Sequence, residues 1–164
     1  MRIRQHDETA LAFLLNKLKS HLRITANDLD DELCAKLCAA IDQAEHHIGR
    51  IILKSTLIDT IPFSSVVTLS RPLLSVDGIE VDDTDVDLAE VDVDVFAGTV
   101  SLPSTVEGNA VKVTYQAGMV QPPADIVQAI LLLASFYFTD PMDSVDERHR
   151  ASMRLLRPHR HYGM

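Results

Sequence analysis

NDLDDELCAKLCAAIDQAEHHIG, residues 27–49, is the stretch that decides the first half of the fold. Leucine, isoleucine and alanine recur in it every three or four positions, which predicts an amphipathic helix about 33 Å long at 1.5 Å per residue. Asn27 or Asp28 offers an N-cap, because short polar side chains accept hydrogen bonds from the first free N–H groups of a helix. Gly49 predicts the helix end, since glycine readily takes the left-handed conformation.

The chain on either side of this helix has different periodicities. Upstream, leucines at helical spacing predict a first amphipathic helix over residues 8–22. Downstream, threonine, valine and isoleucine dominate and prolines and glycines interrupt the run, which is typical of short antiparallel strands. The predicted strands are residues 51–60, 65–70, 73–81, 91–96, 98–102 and 110–116.

A third helix is predicted from Pro123, because proline suits the first helical position and Asp125 suits the positive end of the helix dipole. Its residues 126–138 are apolar almost all round, so they must be covered on most sides by the domain or by neighbouring subunits. A further helix is predicted over residues 143–157, followed by an extended tail over residues 158–164.

Together these segments predict an α+β fold that is mostly helical, since the strands are consecutive rather than alternating with helices. We expect a single domain over residues 1–164. Its parts are a helical pair (8–49), a β section (51–116), the C-terminal helices (123–157) and the tail (158–164).

Composition excludes several classes of function. The net charge is −9, whereas a sequence-specific DNA binder normally presents a basic surface, so we expect no sequence-specific nucleic acid binding. Aromatic residues make up only 5% of the chain and tryptophan is absent, which disfavours base stacking. The longest apolar run is too short to span a membrane and the first residues do not resemble a signal peptide, so we expect a cytoplasmic protein that contacts no membrane.

The chain contains no motif for catalysis. There is no Gly-x-Ser-x-Gly elbow, no phosphate-binding loop and no dinucleotide fingerprint. Cys34 and Cys38 lie one helical turn apart without further cysteines, so we interpret both as apolar residues in or near the core. The sequence therefore predicts no enzyme, no cofactor and no metal site.

Residues 82–94 carry a dense group of carboxylates. Three of them have the first ligand spacings of a calcium loop, but Leu88 stands where that loop needs glycine and Asp94 where it needs glutamate. Two interpretations stay open: a solvated strand face with a hairpin loop, or an ion-binding segment. In a ring, such acids would repel DNA passing through the lumen. The candidate lumen or interface residues are Asp83, Asp85, Asp87, Asp92 and Asp94.

The C-terminal end is basic. His149, His159 and His161 lie among arginines without the companion carboxylates or cysteines that a metal site would need. A mobile basic tail and a docking tail for an acidic partner surface both fit this composition. The candidate docking residues are Arg154, Leu155, Leu156, Arg157, Pro158 and Arg160.

Five motifs in order resemble the head-to-tail connector (adaptor) proteins of tailed bacteriophages, also grouped as small phage DNA-packaging proteins. They cover nearly the whole chain, although none is specific alone. They are HLRI at 21–24 with the acidic helix start and IGR at 48–50, RPLLSV at 71–76, VTYQAG at 113–118, PADIVQAILLL at 123–133, and LLRP at 155–158.

This resemblance implies a structural subunit without catalytic residues. It implies a self-assembled ring of about a dozen copies that docks on the portal protein and contacts a downstream neck or tail protein. The location implied is the virion neck, with assembly in the bacterial host cytoplasm. Such a ring needs two different surfaces that meet, and the acidic middle and arginine-rich end of the chain are our hypothesis for that pair.

An alternative is a different neck component, such as a head-completion or tail-terminator protein. We expect those to be small β-rich barrels, so the helical content of this chain argues against them. A small ion-binding module using residues 82–94 is the alternative from another class.

Overall fold

The computed structural model describes residues 1–139 and 147–161. The chain forms two compact units, and each unit is built from two separate segments. The first unit comprises Met1–Asp7 and Leu53–Val120, and the second comprises Glu8–Ile52 and Gln121–Met164. The expectation of one connector-like domain stays a prediction, and the two units are described separately.

The first unit contains eight described strands in two antiparallel sheets. The larger sheet has the order β1-β2-β8-β4-β5, and the smaller has the order β3-β7-β6. The strands are β1 (Arg2–His6), β2 (Ser55–Pro62), β3 (Val66–Thr68), β4 (Leu73–Val81), β5 (Thr84–Asp85), β6 (Asp92–Asp94), β7 (Thr99–Ser101) and β8 (Ala110–Ala117).

Strand β8 lies at the centre of the larger sheet, where it pairs with β2 along its whole length and with β4. Its residues alternate strictly between buried and half-buried, because successive side chains of a strand point to opposite faces of the sheet. Val111, Val113, Tyr115 and Ala117 are the buried set, and Leu57 of β2 is also fully buried. These residues form the core of this unit.

The second unit contains four described helices: α1 (Glu8–Leu22), α2 (Asp30–Ile48), α3 (Ala124–Thr139) and α4 (Glu147–Leu156). Helix α3 packs against the other three, and α2 also contacts α1 and α4. Only Ala124, Gln128 and Thr139 of α3 are exposed, which explains its nearly continuous apolar sequence. The predicted burial of this helix is confirmed.

Helix α2 ends as predicted but begins differently. Gly49 has φ 72°, in the left-handed region, and its N–H donates to the carbonyl of Glu45 at 2.8 Å. At the other end Leu29 is the N-cap residue and no side chain caps the helix, so the prediction of Asn27 or Asp28 was wrong. The side chain of Asn27 instead accepts a hydrogen bond from Lys19 Nζ at 2.6 Å.

The α+β fold class with four helices and antiparallel sheets is confirmed. Strand β1 was not predicted. The predicted helix over 143–157 is observed from Glu147, and its first residues fall outside the described part of the chain. Residues Arg157–His159 form a 3-10 turn where an extended tail was predicted, and residues 162–164 also lie outside the described residues.

Candidate assembly surfaces

The first part of the acidic segment is a tight hairpin. Asp82 and Asp83 connect β4 to β5 with φ 46° and 63°, as a two-residue turn of the hairpin type requires. The Asp82 carboxylate accepts hydrogen bonds from the backbone N–H groups of Asn109 and Ala110 at 2.9 and 3.0 Å. These bonds lower the pKa of the Asp82 carboxyl below its usual value. Asp82 therefore ties the hairpin to the start of β8.

Two of the predicted acidic site residues stabilise turns. Asp87 Oδ1 accepts the N–H of Ala89 at 2.9 Å, which caps a 3-10 turn over Leu88–Glu90. Asp94 Oδ1 accepts the N–H groups of Phe96 and Ala97, both at 2.9 Å. All five predicted acidic site residues are exposed, so Asp83, Asp85 and Asp92 present their charge to solvent.

A metal site is not formed by the acidic segment. Within residues 1–139 and 147–161, no three histidine, cysteine, aspartate or glutamate side chains come together as a possible set of metal ligands. Because the whole segment 82–94 is described, the calcium-loop spacing in the sequence has no counterpart in the structure.

The end of the acidic segment forms a second hairpin, which we call the acidic hairpin (residues 92–101). Strands β6 and β7 pair Asp92 with Ser101 and Asp94 with Thr99, and residues 95–98 form the tip. At this tip the Phe96 side chain is 96% exposed, and Val95 is also exposed. The sequence predicted a strand over residues 91–96 with acids on one face and did not single out Phe96, whereas the structure ends β6 at Asp94 and places Phe96 in the turn.

The basic C-terminal end is folded against its own unit. His159 Nε2 lies 2.5 Å from Asp125 Oδ2 at the start of α3, which lowers the pKa of the Asp125 carboxyl. The N–H of His161 donates to the carbonyl of Ile48 at 2.8 Å, and Arg50 Nη2 lies 3.2 Å from His161 Nδ1. The end of the chain as far as residue 161 is thus held by helices α2 and α3.

The predicted docking residues divide into exposed and buried ones. Leu156 is fully buried and Leu155 is half-buried, because both lie on the inner side of α4 and its following turn. The exposed members of the set are Arg154, Arg157, Pro158 and Arg160. Only these four are available to a partner.

The exposed arginines surround a cavity of about 420 Å³, which we call the arginine pocket, lined by His47, Met153, Arg154, Arg157 and Arg160. Burial, followed by the nearby charge of Arg160, lowers the pKa of the His47 imidazole. The side chains of Arg154 and Arg157 have no hydrogen bond or ion pair with another residue in the described part of the chain. The pocket is therefore a concave, positively charged surface with one thioether in its wall.

The three C-terminal histidines do not converge. His149 lies beside the ring of Phe136, with 5.7 Å between ring centroids, and its Nε2 is 3.4 Å from Gln43 Nε2. His159 and His161 have the separate partners given above. Among the described residues, no helix is both long and apolar enough to cross a membrane.

The complete fold is similar to chains in three structures of gene transfer agent (GTA) particles. The neck of the native particle, computed with C12 symmetry, contains a chain with TM-score 0.76 and 20% identity, over 100% of this chain and 97% of that one. The neck of the empty particle, computed with C6 symmetry, gives 0.74 and 18%, over 99% and 97%. The virion of the native particle gives 0.76 and 21%, over 100% and 97%.

At these identities the similarity shows the fold. No curated protein matches the chain. The sequence profile of a family described as "Head completion protein" matches residues 13–147, which is most of the chain. This match confirms the recognition of a phage head–tail protein from the sequence motifs. The chain belongs to the head completion protein family.

Proposed function

We propose that this protein is a structural subunit of a phage-type head-to-tail connector, and that it acts as a ring of identical copies docked on the portal. The observation that carries the proposal is the family match over residues 13–147. Support comes from the similar chains, which belong to structures of particle necks computed with C6 and C12 symmetry. A downstream neck or tail protein would bind the other side of the ring, in the neck of the virion.

The exposed surface of the subunit supports an assembly role. Phe96, Val66 and Val120 are large apolar side chains with more than half of their surface exposed, and an interface would bury them. The exposed guanidinium groups of Arg154 and Arg157, which form no ion pair with any described residue, add a charged surface that a partner would neutralise. Arginine and aromatic residues are the types enriched where proteins meet.

The acidic residues suit a conduit for DNA. Asp83, Asp85 and Asp92 are exposed and the chain carries a net charge of −9. Carboxylates that line a channel repel the phosphate backbone, so that DNA passes without binding to the wall. We propose these residues as lumen-facing or interface residues, and we propose no catalytic step and no cofactor for this protein. Assembly of the ring would take place in the host cytoplasm.

The test is the mass of the purified protein by light scattering over a concentration series, alone and with the portal protein of the same particle. We expect a discrete closed assembly, visible as rings in negative-stain micrographs, since heterologous interfaces that close give defined copy numbers. A strict monomer at every concentration that also fails to bind the portal would contradict the proposal.

A further inference from the structure

We propose that the arginine pocket of one copy receives the acidic hairpin of a second copy, with Phe96 inserted as the central anchor. This inference rests on the proposed ring, because a ring of identical subunits joins two different surfaces of the same chain. It specifies which two surfaces meet and which residues carry the contact.

The hairpin is preorganised to present Phe96. Asp94 Oδ1 holds the backbone N–H groups of Phe96 and Ala97, and the N–H of Gly98 donates to the Asp94 carbonyl at 2.8 Å. Strand β7 is paired on its other side with β3, so the hairpin is part of a three-stranded sheet. A hairpin backbone that is held in place before binding loses little entropy on association, which favours affinity.

The exposure of Phe96 points to a partner. Its ring is 96% exposed, more than any other large apolar side chain among the described residues. Aromatic anchors that enter a pocket dominate the binding energy of many interfaces. Asp92 and Asp94 of β6 precede the tip in sequence and are both exposed, so the hairpin offers carboxylates together with the ring.

The arginine pocket has complementary chemistry. Guanidinium groups stack on aromatic rings and also form paired hydrogen bonds with carboxylates, so Arg154, Arg157 and Arg160 suit both parts of the hairpin. The Met153 thioether supplies a polarizable apolar contact for a ring. The volume of about 420 Å³ is within the range of pockets that enclose a small organic group.

The composition of the pocket favours a second copy of this chain over DNA as the occupant. The net charge of −9 repels a duplex and a second copy alike, so the lining residues decide between them. A phosphate backbone would leave Met153 without an apolar partner. The acidic hairpin supplies carboxylates and an aromatic ring together.

The experiment mixes two full-length variants that each keep one half of the contact. The pocket variant carries Arg154→Glu and Arg157→Glu, and the hairpin variant carries Asp92→Lys and Phe96→Ala. Each should fail to self-associate, while the mixture should form a 1:1 heterodimer, measured by sedimentation velocity and titration calorimetry. We expect the mixture to bind at least about tenfold more tightly than either variant binds itself, and to weaken as salt screens the charges.

Matched controls lie outside the two surfaces. Arg150 is exposed on α4 without lining the pocket, and Phe13 is exposed on α1, so Arg150→Glu and Phe13→Ala should leave the association unchanged. All of the substituted side chains are exposed, and thermal unfolding of each variant checks that its fold is intact. If a double variant proves unstable, Phe96→Ser and Arg157→Gln repeat the test with one substitution per chain.

The outcomes separate this inference from the proposed function. If no heterodimer forms, or if both variants still assemble into rings as the wild type does, the hairpin–pocket contact is overturned and the connector role stands. If the heterodimer forms but the wild-type chain neither closes into a ring nor binds the portal, the connector role alone is overturned. The protein could also bind a short DNA duplex. If Arg154→Glu abolishes that binding and Asp92→Lys does not, the pocket is assigned to nucleic acid and the inference is overturned.

Discussion

The hydroxyl of Tyr115 donates a hydrogen bond to Asp59 Oδ2 at 2.7 Å, and both side chains are buried in the first unit. Arg2 of the edge strand β1 completes the group with two hydrogen bonds, from Nε to Oδ1 at 2.6 Å and from Nη2 to Oδ2 at 2.7 Å. The carboxylate thereby joins β1, β2 and β8, three neighbouring strands of the larger sheet.

We expect Tyr115→Phe to lower the free energy of unfolding by about 1.5–3 kcal/mol, the range for a hydrogen bond to a charged partner. The lost hydroxyl leaves Asp59 with one donor fewer in a buried position. Urea unfolding followed by circular dichroism measures the change. Tyr137→Phe is the matched control, because the Tyr137 hydroxyl has no hydrogen bond to any described residue. Equal effects of the two substitutions would contradict the role given to Tyr115.

The Asp59 carboxylate should make stability depend on pH. Burial alone would raise the pKa of Asp59, but hydrogen bonds from Arg2 and Tyr115 outweigh burial and hold that pKa below its ordinary 3.8. The folded state therefore keeps the carboxylate ionised at a lower pH than the unfolded state does. Its contribution to stability is complete above the unfolded pKa and is lost as the pH falls through the folded pKa.

We expect the stability difference between wild type and Asp59→Asn to be constant from about pH 5 upward and to shrink in more acidic solution. Unfolding free energies measured across this range test the prediction. Two curves that stay parallel down to about pH 2 would show that Asp59 is not the linked group.

The side chain of Glu45 should be needed as an acceptor rather than as a charge. Glu45 is only 6% exposed, and its Oε1 accepts the N–H of Ile52 at 2.7 Å. Glu45→Ala leaves that N–H buried and unpaired, at a cost of about 1–3 kcal/mol, whereas Glu45→Gln keeps an oxygen in place. Thermal unfolding should rank wild type and Gln close together and Ala well below them. A glutamine variant as unstable as the alanine variant would show that the charge matters.

Gly118 should tolerate no side chain. Its φ is 132°, and a Cβ built there would lie 2.6 Å from the Lys54 Cα and 2.8 Å from the Leu53 carbonyl carbon, both in the backbone. Gly118→Ala should therefore destabilise the protein by more than about 1 kcal/mol. Gly78→Ala in β4 is the control, since nothing lies within 4 Å of its Cβ position and alanine suits a strand interior slightly better than glycine. Chemical denaturation that ranks the two alanine variants equally would refute the packing argument.

The helices were predictable from local pattern, and the pairing of distant segments was not. Residues 8–22 match α1 because a leucine stripe specifies a helix without reference to the rest of the chain. Strand β1 was missed because it contains a single apolar residue, Ile3, and pairs with residues 55–59, about fifty positions away. An edge strand with little apolar surface carries almost no local signal.

The candidate surfaces were found only in part. The arginine-rich composition identified the basic end, but His47 joins the arginine pocket from α2, and Leu156 proved to be a core residue. The argument that helical content excludes a head-completion protein was also wrong, because the chain belongs to that family and contains four described helices. The fold that we expected for a class of proteins was weaker evidence for the family than five motifs in the right order.

Both units are discontinuous in sequence, and this affects how the chain is made. Strand β1 is synthesised before α1 and α2, whereas its partner β2 begins at Ser55, after both helices. At translation rates of about 5–20 residues per second, Asp59 is synthesised several seconds after Arg2, and their ion pair can form only then. Neither unit can be expressed as one uninterrupted fragment, because a gene cut at residue 53 separates Arg2 from Asp59 and helix α2 from helix α3. Each unit can therefore fold completely only after both of its segments have been synthesised in one chain.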